Sequence, residues 1–247
     1  MPALTRSLLV AAALALASQA NAVITLTNGQ SVNLASLLAP GSDRMVLIED
    51  KVFTFNSFTS SSFAASGVSV VAYVSASTNS FGLRNVGFDL TGSFGDFTPG
   101  NGGFAEFNLR YRVEVARSAY ANDVRLCDTH LAFNGTASGA GSFARVDETV
   151  LDLDSNRYLG NLSAYWIAGQ PPQVRAQDVQ DFCELYDTHG YRAFEVNKDV
   201  KFLAAGTDGM AQATFVRQEF SQVMAPAPGA IAVLALAGTA GRGRRRR

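Results

Sequence analysis

The sequence has few of the residues from which most catalytic and metal centres are built. Its 247 residues include two cysteines, two histidines, one tryptophan and three lysines. No Gly-x-Ser-x-Gly motif occurs, so the chain lacks the signature of hydrolases that carry a serine nucleophile on a strand-to-helix turn. No hydrophobic pattern recurs at a fixed period, which disfavours propellers and solenoids. The set of candidate functional side chains is therefore small.

Long apolar runs are confined to the two ends of the chain. Residues 8–17 are apolar, follow the single charge of Arg6 and lead into the small residues Ala20 and Ala22. This run is shorter than the ~20 residues of a membrane-spanning helix, and the Ala-x-Ala pattern suits signal peptidase. We therefore interpret residues 1–22 as a secretion signal, cleaved by signal peptidase after Ala22, in preference to a retained anchor.

The C-terminal end carries three elements in order. A helix-breaking proline segment is followed by the apolar stretch 230–240 and then by an arginine cluster. The positive-inside bias holds such arginines at the cytoplasmic surface while the apolar stretch enters the bilayer as a short helix. We expect residues 224–247 to be a sorting tail that inserts transiently in the membrane, with the motif residues Pro226, Ala227, Pro228, Gly229, Arg242, Arg244, Arg245, Arg246 and Arg247.

This tail resembles the PEP-CTERM sorting tail of bacterial exported proteins, with Ala227 where that motif usually has glutamate. The resemblance implies that an exosortase-type membrane peptidase cuts near the prolines and passes the domain to the cell surface or the extracellular matrix. The chain between the ends also resembles the β-rich bodies of such proteins, which have no assigned activity. The segments that carry this second resemblance are Glu49-Asp50-Lys51-x-Phe53, Phe81-Gly82-Leu83, residues 131–135 and 146–150, Val196-Asn197-Lys198-Asp199-Val200 and Glu219-Phe220-Ser221-Gln222.

Residues 23–223, between the two signals, are acidic and suit one domain. All 21 acidic residues lie there, but only 14 of the 20 basic ones, which leaves a net charge of −7. This charge argues against a nucleic-acid partner. About 200 residues suffice for one domain with a substantial core and are few for two.

Alternation of apolar and polar residues dominates this domain and indicates β-strands. It is clearest over 107–115, where five apolar side chains share one face. Asn28-Gly29 predicts a type I′ hairpin within 23–34, and only 178–187, with Asp178 as N-cap, has a helical pattern. We predict an all-β fold, an antiparallel β-sandwich of jelly-roll or Greek-key type. The other expected strands are 44–55, 67–75, 81–90, 124–133, 143–153, 159–168, 191–203 and 212–220.

Cys127 and Cys183 are predicted to form a disulfide, because an even pair of cysteines in an exported chain is normally oxidised. A zinc site that adds His130 and His189 would use every cysteine and histidine of the chain. We favour it less, because these spacings fit no common zinc module. Two buried free thiols are a third interpretation.

The tripeptide Asp-Thr-His occurs twice, at 128–130 and at 187–189. Residues two apart on a strand share a face, so Asp128 could orient the imidazole of His130, and Asp187 that of His189, for acid–base catalysis. A solvated sheet surface would show the same pattern, and this is the interpretation we favour.

Asp152, Asp154 and Asn156 offer alternating oxygen atoms to a calcium ion. The same residues favour turns, because their side chains bond to their own backbone, and we expect a hairpin turn here. The spacing Gly139-x-Gly141 is like part of a dinucleotide loop, but no βαβ unit follows, and we interpret it as a strand-entry turn.

Trp166, with Tyr165 and Tyr158 nearby, could form a platform on which sugars stack. Neighbouring residues of a strand face opposite ways, so only one of Tyr165 and Trp166 could contribute. We therefore expect Trp166 to lie in the core.

These patterns favour an exported, non-enzymatic structural protein of the cell surface or extracellular matrix. The alternative is an extracellular carbohydrate-binding module with a polysaccharide partner, assisted by calcium if the acidic turn binds the ion. Beyond that calcium, no cofactor is predicted.

Overall fold

The computed structural model describes residues 23–99, 104–116, 124–169 and 173–225, which form a sandwich of two β-sheets. The predicted secretion signal 1–22, the proline motif, the apolar segment 230–240 and the arginine cluster lie outside the described residues. Within the described ranges, the helices are too short or too polar to cross a membrane.

Strands occupy most of the described chain: β1 Ile24–Leu26, β2 Ser31–Asn33, β3 Met45–Ile48, β4 Lys51–Ser60, β5 Ser69–Thr78, β6 Arg84–Asp96, β7 Ala105–Val115, β8 Val124–Phe133, β9 Thr136–Ser138, β10 Phe143–Asp152, β11 Arg157–Ile167, β12 Gln173–Arg175, β13 Gln177–Asp181, β14 Ala193–Leu203 and β15 Met210–Met224. The helical elements are α1 Leu34–Leu38, α2 Phe182–Tyr186 and a 3₁₀ turn at Ala65–Gly67.

The strands are divided between two sheets. Sheet A has the order β1-β3-β4-β7-β14-β10-β11-β12, and sheet B has the order β13-β8-β15-β6-β5-β2, with β9 paired to β15. Neighbours pair antiparallel, apart from β1 and β3, which are parallel. The predicted β-sandwich is confirmed, and the parallel pairing of β1 with β3 was not expected.

The core lies between the sheets and is built from alternate residues of each strand. In β7 the buried side chains are those that the period of two predicts, namely Phe107, Leu109, Tyr111, Val113 and Val115. Aromatic rings of the two sheets pack against one another. The ring centroid of Phe88, in sheet B, lies 5.2 Å from that of Phe53 and 5.1 Å from that of Tyr111, both in sheet A. Each large apolar side chain that is fully buried contributes about 1.5–3 kcal/mol. This layer therefore holds the sheets face to face.

Asn28-Gly29 forms a turn but not the predicted hairpin. β1 pairs with β3 in sheet A and β2 pairs with β5 in sheet B, so the turn carries the chain from one sheet to the other. Of the two central turn residues, Gly29 has a positive φ of +82° and Asn28 does not, whereas a type I′ turn needs a positive φ at both. Asn28 Oδ1 accepts a hydrogen bond from the Val74 N–H (2.9 Å) and so fixes the turn to β5. The dipeptide specifies a turn without specifying the partners of the strands beside it.

The predicted helix 178–187 is partly wrong. Its first residues belong to β13, which pairs with β8, and the helix itself is confined to Phe182–Tyr186. Asp181, not Asp178, is the N-cap and accepts from the Glu184 N–H at 2.9 Å. Pairing with the edge of β8 prevails because a helix of this length is not stable on its own.

Two shorter features differ from the sequence prediction. Residues 44–55 are not one strand but the β3–β4 hairpin, in which Glu49 adopts a positive φ of 50°. The helix α1 was not predicted, although Asn33 provides a standard N-cap by accepting from the Ala35 N–H at 3.0 Å. Both features are too short for a periodic pattern to reveal them.

Candidate functional site

Trp166 lies near the end of β11, on one wall of a cleft. The register with β10 places Trp166 opposite the buried Ala144, on the inner face of sheet A, and places Tyr165 opposite Arg145 on the outer face. The predicted opposite orientation of the two aromatic residues is confirmed. The expected core position of Trp166 is wrong, because its side chain is only half-buried.

The cleft beside Trp166 has a volume of about 410 Å³ and is otherwise lined by small residues, namely Ala137, Ser138, Gly139, Ala140, Ala168 and Gly169. The indole of Trp166 is thus the only large side chain among the described residues that line this cleft. β9 pairs only with β15 among the described strands, so its second edge keeps backbone N–H and C=O groups without a strand partner. The cleft therefore combines an aromatic wall with polar backbone groups.

The rim of the cleft is a glycine turn that leads into β10. Gly139 and Gly141 have φ values of +81° and +84°, which glycine adopts without steric cost. A Cβ atom on Gly139 would come within 2.8 Å of the Gly209 Cα, so the turn packs closely on the loop before β15. Ser142 Oγ accepts from the Ala205 N–H at 2.9 Å and fixes the same contact. The interpretation of this segment as a strand-entry turn agrees with the structure.

The three aromatic residues Trp166, Tyr165 and Tyr158 do not form a common platform. Tyr158 is at the start of β11 and is 52% exposed. Trp166 lies eight positions further along the extended chain, roughly 26 Å away at about 3.3 Å per residue. Any stacking in the cleft would therefore use Trp166 alone.

Asp128 and His130 lie on β8 and contact each other, as predicted for residues that share a strand face. Asp128 Oδ1 is 2.9 Å from His130 Nε2 and also accepts from the Ser221 N–H at 2.9 Å. Burial acts to lower the pKa of His130, but the hydrogen bond and charge of Asp128 outweigh it and raise that pKa. The carboxylate thus lies between the imidazole and Ser221, whereas a catalytic triad places the imidazole in the middle. Asp128 stabilises the irregular pairing of β15 at this point.

The second Asp-Thr-His segment is not on a strand. Asp187 has a left-handed conformation, with a φ of 48°, and ends α2, where the Thr188 N–H donates to the Cys183 carbonyl at 3.1 Å. Asp187 and His189 therefore do not share a strand face, although they are two residues apart. The two segments are alike in sequence and different in structure.

Charges on the outer face of sheet B neutralise one another. Arg217 donates to both carboxylate oxygens of Asp89, at 2.7 and 2.9 Å, and its guanidinium lies 3.6 Å from the ring centroid of Tyr73. Burial raises the pKa of the nearby Glu219, although the positive charges of His130 and Arg217 act to lower that pKa. This pattern agrees with the interpretation of the face as a polar sheet surface.

Cys127 of β8 and Cys183 of α2 form the predicted disulfide, with their Cα atoms 5.2 Å apart. The zinc site with His130 and His189 is therefore wrong, because neither sulfur is available as a thiolate. In the described part of the chain, one cluster of three potential metal ligands occurs, formed by Cys127, Asp181 and Cys183. Two of these three residues are the cysteines of the disulfide. The bridge holds α2 and β13 against β8.

Both carboxylate oxygens of Asp152 accept hydrogen bonds within the β10–β11 turn. One oxygen accepts from the Asp154 N–H at 3.2 Å, and the other accepts from the Ser155 hydroxyl. Asn156 takes a positive φ of 53°, as turn residues of this type tolerate. The arrangement supports the hairpin turn over the calcium alternative.

A buried polar cluster, which we call the core network, lies between the sheets and was not predicted. It consists of two residues from sheet A and two from sheet B, each at most 1% exposed: Glu148, Lys198, Thr129 and Gln218. A signal was present, because Lys198 falls in phase with Val196 and Val200, on the apolar face of its strand. The alternation predicts that such a polar residue is buried.

No protein-family model matches the chain, and no curated protein matches its sequence. Solved structures give weak matches. A carbohydrate-binding module described for specific mannan recognition, TmCBM27, shares 12% identity over 77% of this chain and 95% of its own, with a TM-score of 0.28. A Caldicellulosiruptor saccharolyticus CBM27-1 in complex with mannohexaose shares 10% over 59% and 80%, with a TM-score of 0.23.

A DUF4465 family protein from Bacteroides caccae shares 8% identity over 77% of this chain and 92% of its own, with a TM-score of 0.26. At identities of 8% to 12% and TM-scores of 0.23 to 0.28, these likenesses assign neither a family nor a ligand to the chain.

Proposed function

We propose that this domain is an exported, non-enzymatic module of the cell surface or extracellular matrix that binds polysaccharide in the cleft beside Trp166. The observation that supports the proposal is a half-buried indole on the wall of a cleft of about 410 Å³ whose other residues are small. Ligand sites are typically concave, with an apolar or aromatic wall and a few polar groups. A jelly-roll or Greek-key type of sandwich is part of this proposal, and its support is the pairing of strands that are distant in the chain, such as β7 with β14 and β8 with β15.

Sugar chemistry fits this cleft. A pyranose ring has one face of C–H groups, which packs on an indole, and a rim of hydroxyl groups, which needs hydrogen-bond partners. The unpaired edge of β9 and the Ser138 hydroxyl supply such partners. Since residues 23–223 carry a net charge of −7, a neutral polysaccharide is a better ligand than an acidic one.

Binding to a panel of neutral and acidic polysaccharides tests the proposal. Trp166→Ala should weaken binding of the neutral ligand by about tenfold or more, as aromatic anchors commonly do. Tyr165→Ala is the matched control, because Tyr165 is the next residue and lies on the opposite face. Chelation of calcium should leave binding unchanged. A panel without any binder, or equal binding by both variants, would contradict the proposal.

A structural role in the matrix is the second candidate function. It is supported by ties that join different parts of the sandwich, namely the Cys127–Cys183 disulfide and the core network. If the panel shows no binder, a deletion strain with a weakened extracellular matrix would favour this role. An intact matrix in that strain would count against it.

We also propose that the tail sorts the protein, with cleavage near Pro226 and Pro228 by an exosortase-type peptidase. The support is the order of proline motif, apolar stretch and arginines in the sequence. Intact mass of the surface protein, from cells with and without the processing peptidase, tests both ends at once. Retention of Arg247 in the surface form would contradict this processing.

A further inference from the structure

The four side chains of the core network form a closed ring of hydrogen bonds between the sheets. Lys198 Nζ donates to Glu148 Oε2 and, at 2.7 Å, to Gln218 Oε1. Gln218 Nε2 donates to Thr129 Oγ1 and to a backbone carbonyl, and Thr129 Oγ1 donates to Glu148 Oε1 at 3.3 Å. An amine, a carboxamide, a carboxyl group and a hydroxyl are thus in mutual contact. The side chains of Lys198 and Glu148 are fully shielded from solvent.

This environment favours a reactive lysine. Burial lowers the pKa of Lys198, while the charge and hydrogen bond of Glu148 act in the opposite direction. Moving one proton within the buried pair gives a neutral amine and a neutral carboxylic acid, which avoids two charges in a region of low dielectric. A neutral amine is a nucleophile, and the side chain of Lys198 is shielded from bulk solvent.

We infer that Lys198 and Gln218 condense into a covalent amide that joins the two sheets, with Glu148 and Thr129 transferring the protons. Lys198 Nζ attacks Gln218 Cδ, the carbon bonded to the oxygen that it already contacts. The Nζ–Cδ bond forms, the Cδ–Nε2 bond breaks, and the nitrogen leaves as ammonia. The oxidation state of every atom is unchanged, so the reaction needs neither a cofactor nor an oxidant.

The ring supplies a complete path for the protons. The first proton of Lys198 passes to Glu148 Oε2, the oxygen that it contacts. A half-turn of the carboxyl group then presents this proton to Thr129 Oγ1 and presents the unprotonated oxygen to the attacking amine, from which it takes the second proton. The hydroxyl proton of Thr129 passes to Gln218 Nε2, which it contacts. Each transfer runs along a contact present in the folded chain, so that the groups are oriented before the reaction begins.

A second lysine–glutamine contact provides an internal comparison. Lys51 Nζ donates to Gln222 Oε1 and, at 3.0 Å, to Asp50 Oδ1. The carboxylate of Asp50 is 26% exposed, and no hydroxyl in the described ranges links it to the leaving nitrogen of Gln222. This site has the amine and the amide without the shielded proton path, and it stays unlinked.

The mass of the intact, reduced, exported chain tests the cross-link. We expect a mass lower by one ammonia than the processed sequence requires, and a tryptic peptide 193–201, uncut at Lys198, joined to the peptide that begins at Gln218. The mass must be measured before digestion, because trypsin cuts after Arg217 and a glutamine that becomes N-terminal, as Gln218 then does, can lose ammonia without forming a cross-link. A full sequence mass, or a bond at Lys51 and Gln222 instead, would overturn the inference.

Three variants separate the cross-link from mere burial. Glu148→Gln keeps the size of the side chain, and Thr129→Val removes only the hydroxyl; both should fold and show the full sequence mass. Lys201→Met is the control, because Lys201 pairs with Asp199 at 2.7 Å on the outer face and should keep the ammonia loss. A linked Glu148→Gln protein, with native circular dichroism, would remove Glu148 from the mechanism.

Discussion

Replacing both cysteines of the disulfide should lower the free energy of unfolding by about 4 kcal/mol. The bridge joins positions 56 residues apart. In the chain-entropy model, closing a loop of that length removes roughly 14 cal/mol/K from the unfolded chain, or about 4 kcal/mol at 25 °C. Domains are typically stable by only about 5–15 kcal/mol, so this is a large share of the total. The variant Cys127→Ala/Cys183→Ala is therefore expected to unfold at a much lower urea concentration.

Equilibrium urea unfolding, followed by far-ultraviolet circular dichroism, measures this effect. The oxidised protein, the double variant and the reduced wild-type chain are compared, and the reduced chain should unfold close to the double variant. Non-reducing peptide mapping of Cys127 and Cys183 verifies the starting state. Equal midpoints for the oxidised protein and the double variant would refute the assigned contribution of the bridge.

Three smaller perturbations test other parts of the structure. Tyr111→Phe removes a buried hydroxyl that has no hydrogen-bond partner in the described chain, and should raise the urea midpoint by the equivalent of about 1 kcal/mol; a lower midpoint would mean that the hydroxyl is bonded. Gly87→Ala would bring a Cβ within 1.7 Å of the Gln218 carbonyl oxygen and should cost about 3 kcal/mol, measured the same way; an unchanged midpoint would contradict this close approach. The His130–Asp128 pair should stabilise most between about pH 4 and 6.5. Folding raises the pKa of His130 and lowers that of Asp128. The contribution of the pair to stability therefore declines as the pH rises through the pKa of the folded His130, and also as the pH falls through the pKa of the folded Asp128. His130→Gln should remove the decline on the high-pH side of a plot of unfolding free energy against pH.

Much of the fold follows from local pattern. The period of two located the long strands, and the exported character of the chain, inferred from its ends, led to the disulfide. Pairing between distant strands does not follow from local pattern. Asn28-Gly29 is a turn by its own backbone preference, but only long-range contacts decide that β1 joins sheet A and β2 joins sheet B.

The site was less predictable than the fold. Trp166 was recognised as a possible stacking residue, yet its half-buried position depends on the small residues of β9 and the following turn, which are distant in sequence. The core network was predictable in part, because Lys198 interrupts an apolar face, while its partner Gln218 comes from the opposite sheet. Alternation reveals that a polar residue is buried and cannot reveal what it meets there.

The fluorescence of Trp166 measures ligand binding in the cleft most directly, since it is the only tryptophan of the chain. Titration of the wild-type protein and of Tyr165→Ala with the neutral polysaccharide that binds best should give a saturable change in emission, with the same midpoint as binding measured independently. An emission spectrum that stays constant while the polysaccharide binds would place the ligand elsewhere on the domain and contradict the proposed site.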